Sequence, residues 1–130
     1  MEPSFGRGLV TPDNPLRRGA VVRVRLDPVE GLEQGGDRPG LVVSPDLINN
    51  HSPVILVAAI TSRKTEKVFP FEALLEPPEG GLQQRSKVLV MQLRSLDKRR
   101  VMGRYGGVSA VVMERVDAAL RIAVGLTRLS

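Results

Sequence analysis

The chain is 130 residues long, enough to bury one core and too short for two. Its 19 Lys and Arg outnumber its 14 Asp and Glu, and the net charge of +5 suits a polyanionic partner, because each phosphate neutralised by a cation releases condensed counterions. Cysteine is absent and His51 is the single histidine, which removes disulfides, thiolate catalysis, cysteine-based zinc sites and, within one chain, a two-histidine acid–base pair.

Residues 1–15 mix three prolines with glycine and asparagine and have little apolar periodicity, so they read as a flexible arm, and residues 16–130 as the folded domain. In residues 21–26, Val22, Val24 and Leu26 alternate with Arg23 and Arg25, the pattern of a half-buried strand. Residues 28–39 are polar and glycine-rich, a loop long enough to suggest a functional role. Residues 39–44 and 54–60 are short apolar runs bounded by turn residues, as expected of central strands. Between them His51 follows Asn49-Asn50 and reads as an exposed turn histidine with no function.

A charged loop, residues 63–67, leads to residues 68–75, where Pro70 implies an edge or bulged strand. Residues 87–92 form a further strand, and residues 101–108 a weaker one interrupted by Gly103, Gly106 and Gly107. Ser109 is positioned as the N-cap of a helix over about residues 110–126, with Val112, Val116, Ala119, Leu120, Ala123 and Val124 on one face. Five to six short strands closed by one amphipathic helix predict an α+β, mainly β fold, a curved sheet or small barrel with the helix packed on it. No apolar run approaches the roughly 20 residues that span a bilayer and no signal peptide opens the chain, so a cytoplasmic protein with no membrane partner is expected.

The most informative stretch is Gly31-Leu32-Glu33-Gln34-Gly35-Gly36-Asp37-Arg38-Pro39, preceded by Asp27-Pro28 and followed by Ser44-Pro45. Together with Ile60-Thr61-Ser62, Phe69-Pro70-Phe71-Glu72 and Gln92-Leu93-Arg94-Ser95-Leu96, in this order, it resembles the MazF/PemK toxins of type II toxin–antitoxin systems. The resemblance implies an SH3-like barrel of about five to seven strands with a C-terminal helix. It further implies a homodimer with an RNA groove across its interface, and a MazE-like antitoxin whose acidic tail competes for that groove. The expected activity is metal-independent, sequence-specific cleavage of single-stranded mRNA, with no cofactor.

That chemistry is consistent with the residues present. RNA carries its own nucleophile, the ribose 2′-hydroxyl, so the protein has only to move protons and stabilise the extra charge on phosphorus. Arg38 can place two parallel N–H donors on phosphate oxygens and is the foremost catalytic candidate. Thr61 would orient the phosphate from a strand end. Glu33 would accept the ribose proton, although a neighbouring arginine lowers its basicity. Gln34, Gly36, Ser62, Arg63, Lys64, Arg94 and Ser95 are candidate RNA-binding residues, with an internal salt bridge the competing reading for Arg94 and solvated charge that for the lysines.

The chain departs from the family pattern at Ala20, at Arg23 and Lys98, where tryptophans are usual, at Ala59 in place of proline and at Met91 in place of aspartate. Aromatic residues make up only 3%, which shifts base recognition toward arginines and backbone groups. Two other readings of the same fold are a toxin that binds a protein such as a topoisomerase without catalysis, and a degenerate homologue that retains only antitoxin binding.

Overall fold

The computed structural model describes residues 10–11, 13–26 and 36–128. Within them six antiparallel strands form one sheet: β1 (Ala20–Arg25), β2 (Asp37–Val42), β3 (Val54–Thr61), β4 (Glu72–Leu75), β5 (Ser86–Asp97) and β6 (Val101–Gly107), in the spatial order β4-β5-β3-β2-β1-β6. A short helix, α1 (Asp46–His51), joins β2 to β3, and α2 (Ala110–Ala123) follows β6. The mainly β architecture with a C-terminal helix expected from the sequence is present.

Strand alternation divides the apolar residues between two cores, one on each side of the sheet. Val21, Leu41, Ala58, Ile60 and Val88 face α2 and pack with its Val112, Val116 and Ala119. Val22, Val24, Val42, Ile55 and Val57 face the other way and enclose Leu16, which is fully buried. Arg104 holds this approach to β1 by donating to the backbone carbonyls of Pro15 and Asn14.

Two elements differ from the sequence-based expectation. Asn49 and His51 lie in α1 and not in a plain turn. The reason is a buried polar knot: Asn49 Nδ2 donates to the Ser44 carbonyl at 2.9 Å, Ser44 Oγ donates to Asn49 Oδ1 at 2.6 Å, and Ser44 Oγ accepts from the Leu56 N–H at 3.0 Å. The strand expected over residues 87–92 continues to Asp97 through a bulge. Ala58 pairs with Leu93 and Ala59 with Leu89, so Val90, Met91 and Gln92 are extra on β5.

Helix α2 is capped at both ends. Ser109 Oγ accepts from the Val112 N–H, and Gly125, at φ +81°, ends the helix with Leu126 and Gly125 N–H groups returning to the carbonyls of Arg121 and Ile122.

The sheet edges β4 and β6 do not pair with each other. They are joined by the 3-10 turn Glu79–Gly81, which follows β4 and seats on β6. Gly80 and Gly81 adopt positive φ (68° and 73°); a Cβ on Gly80 would lie 2.6 Å from Val21 Cγ2, and one on Gly81 would collide with the Tyr105 carbonyl. Only glycine permits both the conformation and the approach. Gly81→Ala is therefore expected to destabilise the fold by about 2 kcal/mol or more, measured as a lowered midpoint in urea unfolding with far-ultraviolet circular dichroism unchanged before the transition.

Candidate active-site cleft

Arg38 is the second residue of β2, opposite Val24 of β1, and alternation turns its side chain to the sheet face away from α2. Gly40 is buried and pairs with Ala59 of β3. Carrying that register two residues further brings Arg38 opposite Thr61, the last residue of β3. Small residues at 40 and 59 keep the floor low; a Cβ on Gly40 would strike Val57.

The result is a cleft of about 670 Å³ whose walls include Leu26, Arg38, Thr61, Ser62, Arg63 and Gln92. Thr61 Oγ1 accepts from the Arg63 N–H at 3.1 Å, which folds residues 61–63 into a tight turn and leaves the hydroxyl hydrogen to donate elsewhere. A second, more apolar hollow of about 300 Å³ continues the cleft through Arg38 and Gln92 to Arg94. Arg94 is exposed and forms no ion pair among the described residues.

Of the residues singled out in the sequence, Arg38, Thr61, Ser62, Arg63 and Arg94 thus line one continuous groove. Gly36, Lys64 and Ser95 do not line it. Gly36 is exposed just before β2, and Lys64 occupies a positive-φ turn position (55°) outside the cleft wall. Ser95 follows Arg94 on β5 and so points to the other face. Glu33 and Gln34 lie outside the described residues; the flanking Leu26 and Arg38 both line the cleft.

Gln92 is a wall residue that the sequence-based assignment omitted. It belongs to the quoted Gln-Leu-Arg-Ser-Leu run, but its orientation depends on the β5 bulge, which no local pattern announces. Among the described residues, no three His, Asp or Glu side chains gather as a metal site.

Behind Thr61 stands a buried ion pair. Lys87, paired with Thr61 across β3 and β5, is 2.8 Å from Glu72 Oε1, with the two side chains 6% and 10% exposed. Lys87 also donates to the Lys67 carbonyl at 2.8 Å, and Glu72 accepts from the Phe69 N–H at 3.1 Å. Phe69 stacks on Phe71 with ring centroids 5.4 Å apart, and Lys67 Nζ sits 4.9 Å from the Phe69 centroid. These bonds hold both ends of the segment that carries Ser62 and Arg63. Burial pushes the Glu72 carboxyl up, but the Lys87 hydrogen bond, the Phe69 N–H and the Lys87 charge outweigh it and hold it below the ordinary carboxylate range.

The fold and site define a small, helix-backed antiparallel sheet with an arginine-lined groove on its open face. The sequence pattern of PemK-like, MazF-like toxins of type II toxin–antitoxin systems matches residues 17–124. The solved MazE–MazF complex from Deinococcus radiodurans (Form-II) is 34% identical, with a TM-score of 0.73, covering 88% of this chain and 100% of that one. MazF from the same organism (Form-I) is also 34% identical, with a TM-score of 0.68 over 87% and 99% of the two chains. An endoribonuclease from Mycobacterial species shares the fold at 23% identity, with a TM-score of 0.72 over 89% and 97%. The chain belongs to the PemK-like, MazF-like toxin family of type II toxin–antitoxin systems.

The ion pair makes the stability of the fold depend on pH. Glu72 has a lower pKa folded than unfolded, so its contribution is complete above the ordinary glutamate value of 4.5 and is lost as pH falls through the lower folded value. Urea unfolding from pH 7 to pH 3 should show this acid loss in wild type and a shallower loss in Glu72→Gln. Lys87→Met leaves a buried carboxylate unpaired and should cost about 3–5 kcal/mol at pH 7, with the deficit shrinking as the pH is lowered.

Proposed function

We propose that this toxin is a sequence-specific endoribonuclease that cleaves single-stranded mRNA without a metal or cofactor, acting as a homodimer in the cytoplasm. The observation that carries the reading is the convergence of Arg38 and Thr61 in one cleft, with Ser62, Arg63 and Arg94 along the same groove. It is supported by family membership and by the name endoribonuclease borne by the mycobacterial structures of the same fold.

In this mechanism the scissile phosphate sits between Arg38 and Thr61. The ribose 2′-hydroxyl attacks phosphorus and surrenders its proton to a base, the role proposed for Glu33. The P–O5′ bond breaks, the leaving O5′ takes up a proton, and a 2′,3′-cyclic phosphate remains. Arg38 stabilises the added negative charge on the nonbridging oxygens through paired N–H donors, and the Thr61 hydroxyl fixes their orientation. Gln34, Ser62, Arg63 and Arg94 are proposed to track the flanking RNA, the arginines neutralising its phosphates, whereas Gly36, Lys64 and Ser95, which lie off the groove wall, receive no such role.

A MazE-like antitoxin is the proposed partner, as in the Deinococcus radiodurans MazE–MazF complex. An acidic antitoxin tail lying in the groove would meet the same cations as RNA does, so binding of the two would be mutually exclusive.

Purified protein incubated with a long, varied single-stranded RNA in excess chelator should give discrete cuts, mapped by primer extension. Arg38→Ala should reduce their rate by about 10²–10³-fold, and Thr61→Val by less. Absence of cuts from folded wild-type protein would overturn the nuclease reading in favour of a protein-binding or degenerate toxin.

A further inference from the structure

On the α2 side of the same strand ends lies a third hollow, of about 410 Å³. It shares Pro39, Ile60 and Ser62 with the cleft that holds Arg38 and Thr61, so the two open on either side of one ridge. Its other walls include Leu82, Gln83 and Gln84 from the loop between β4 and β5, and Tyr105 from β6.

Three features give this hollow the chemistry of a base-reading site. Tyr105 offers an exposed ring, whereas Phe69 and Phe71 are stacked on each other with Lys67 beside them. Gln83 and Gln84 are exposed amides, each able to donate and accept at once, which is what recognition of a nucleobase edge requires. The frame is rigid. Gly81 meets the Tyr105 carbonyl, a Cβ on Gly106 would lie 3.0 Å from the backbone of Gly80 and Gly81, and Ser86 Oγ donates to the Gln84 carbonyl at 2.9 Å.

We infer that this hollow binds one unstacked nucleobase of the RNA, next to the scissile phosphate, with Tyr105 stacking on the base and Gln83 and Gln84 reading its edge. The inference rests on the nuclease reading above and assigns part of the sequence selectivity to residues outside the catalytic cleft. A strand whose phosphate is held by Arg38 and Thr61 passes over the ridge at Ser62, and the base on that side has this hollow within reach. Stacking on an aromatic ring contributes affinity for any base, and the amides then discriminate among bases.

The chain's single tyrosine and lack of tryptophan make the test direct, because tyrosine emission reports on this hollow alone. The probe is an oligonucleotide of a mapped cut sequence, 2′-O-methylated at the nucleophilic ribose so that it binds without being cut. Its binding should quench Tyr105, and an abasic position at one nucleotide flanking the scissile phosphate should abolish the quench. Tyr105→Leu and the double variant Gln83→Ala, Gln84→Ala should change the relative rates at different cut sites by about tenfold or more, while Tyr105→Phe retains the wild-type pattern. Thermal unfolding of each variant separates this from misfolding.

Binding without any change in emission, or folded variants that cut the same sites with the same relative rates, overturns the inference while leaving the nuclease reading intact. Wild-type protein that neither cuts nor binds RNA overturns both.

Discussion

The approach of Gly80 and Gly81 to β6 is the contact on which the rest of the molecule depends. A six-stranded antiparallel sheet ends in two edges whose unpaired N–H and C=O groups invite association, and closing the sheet into a full barrel would remove them. Here the closure is made by a turn and not by a ladder. The turn after β4 lies against the backbone of Tyr105 and Gly106 because no side chain intervenes. The same turn supplies Glu79, whose carboxylate accepts from the Ser109 N–H at 2.8 Å, so the strand edge and the start of α2 are set together. Placement of the helix start and the wall of the hollow beside the cleft share this origin.

The groove itself shows how a basic protein keeps its cations useful. Several arginines are committed to structure. Arg18 spans from the Val43 carbonyl to Asp117 of α2, and Arg23 and Arg25 share Asp37. Lys87 is buried against Glu72. Arg38, Arg63 and Arg94 are exposed along one face. The three arginines along the groove give the net charge a local direction, and net charge alone carries none.

Much of the fold was legible in the sequence. The alternation of Val22, Val24 and Leu26, the apolar runs of β2 and β3, and the 3.6-residue spacing of Val112, Val116 and Ala119 each reported a local period that the tertiary structure keeps. What escaped were features fixed by distant partners. Residues 46–51 carry turn-forming asparagines, and only the bonds between Asn49 and Ser44, buried under β3, make a helix the better choice. The phase change in β5 has no local period to betray it, and Gln92 was lost with it. Juxtaposition of Arg38 and Thr61 was anticipated only through the family resemblance, since 22 intervening positions separate them; the antiparallel register of β2 and β3 supplies the physical reason.

The β5 bulge also divides one strand into two halves that answer to different parts of the protein. Val90 and Leu93, three residues apart, both serve the core beneath α2, whereas Leu96 serves the core around Leu16. In an uninterrupted strand Val90 and Leu93 would face opposite ways. Removing one residue at Met91 or Gln92 would leave Val90 and Leu93 two apart, where plain alternation already faces them alike, so both cores would keep their residues while the extra length that carries Gln92 to the groove wall was reduced. What the bulge adds is therefore reach toward the groove, on a strand whose core contacts plain alternation could supply with fewer residues.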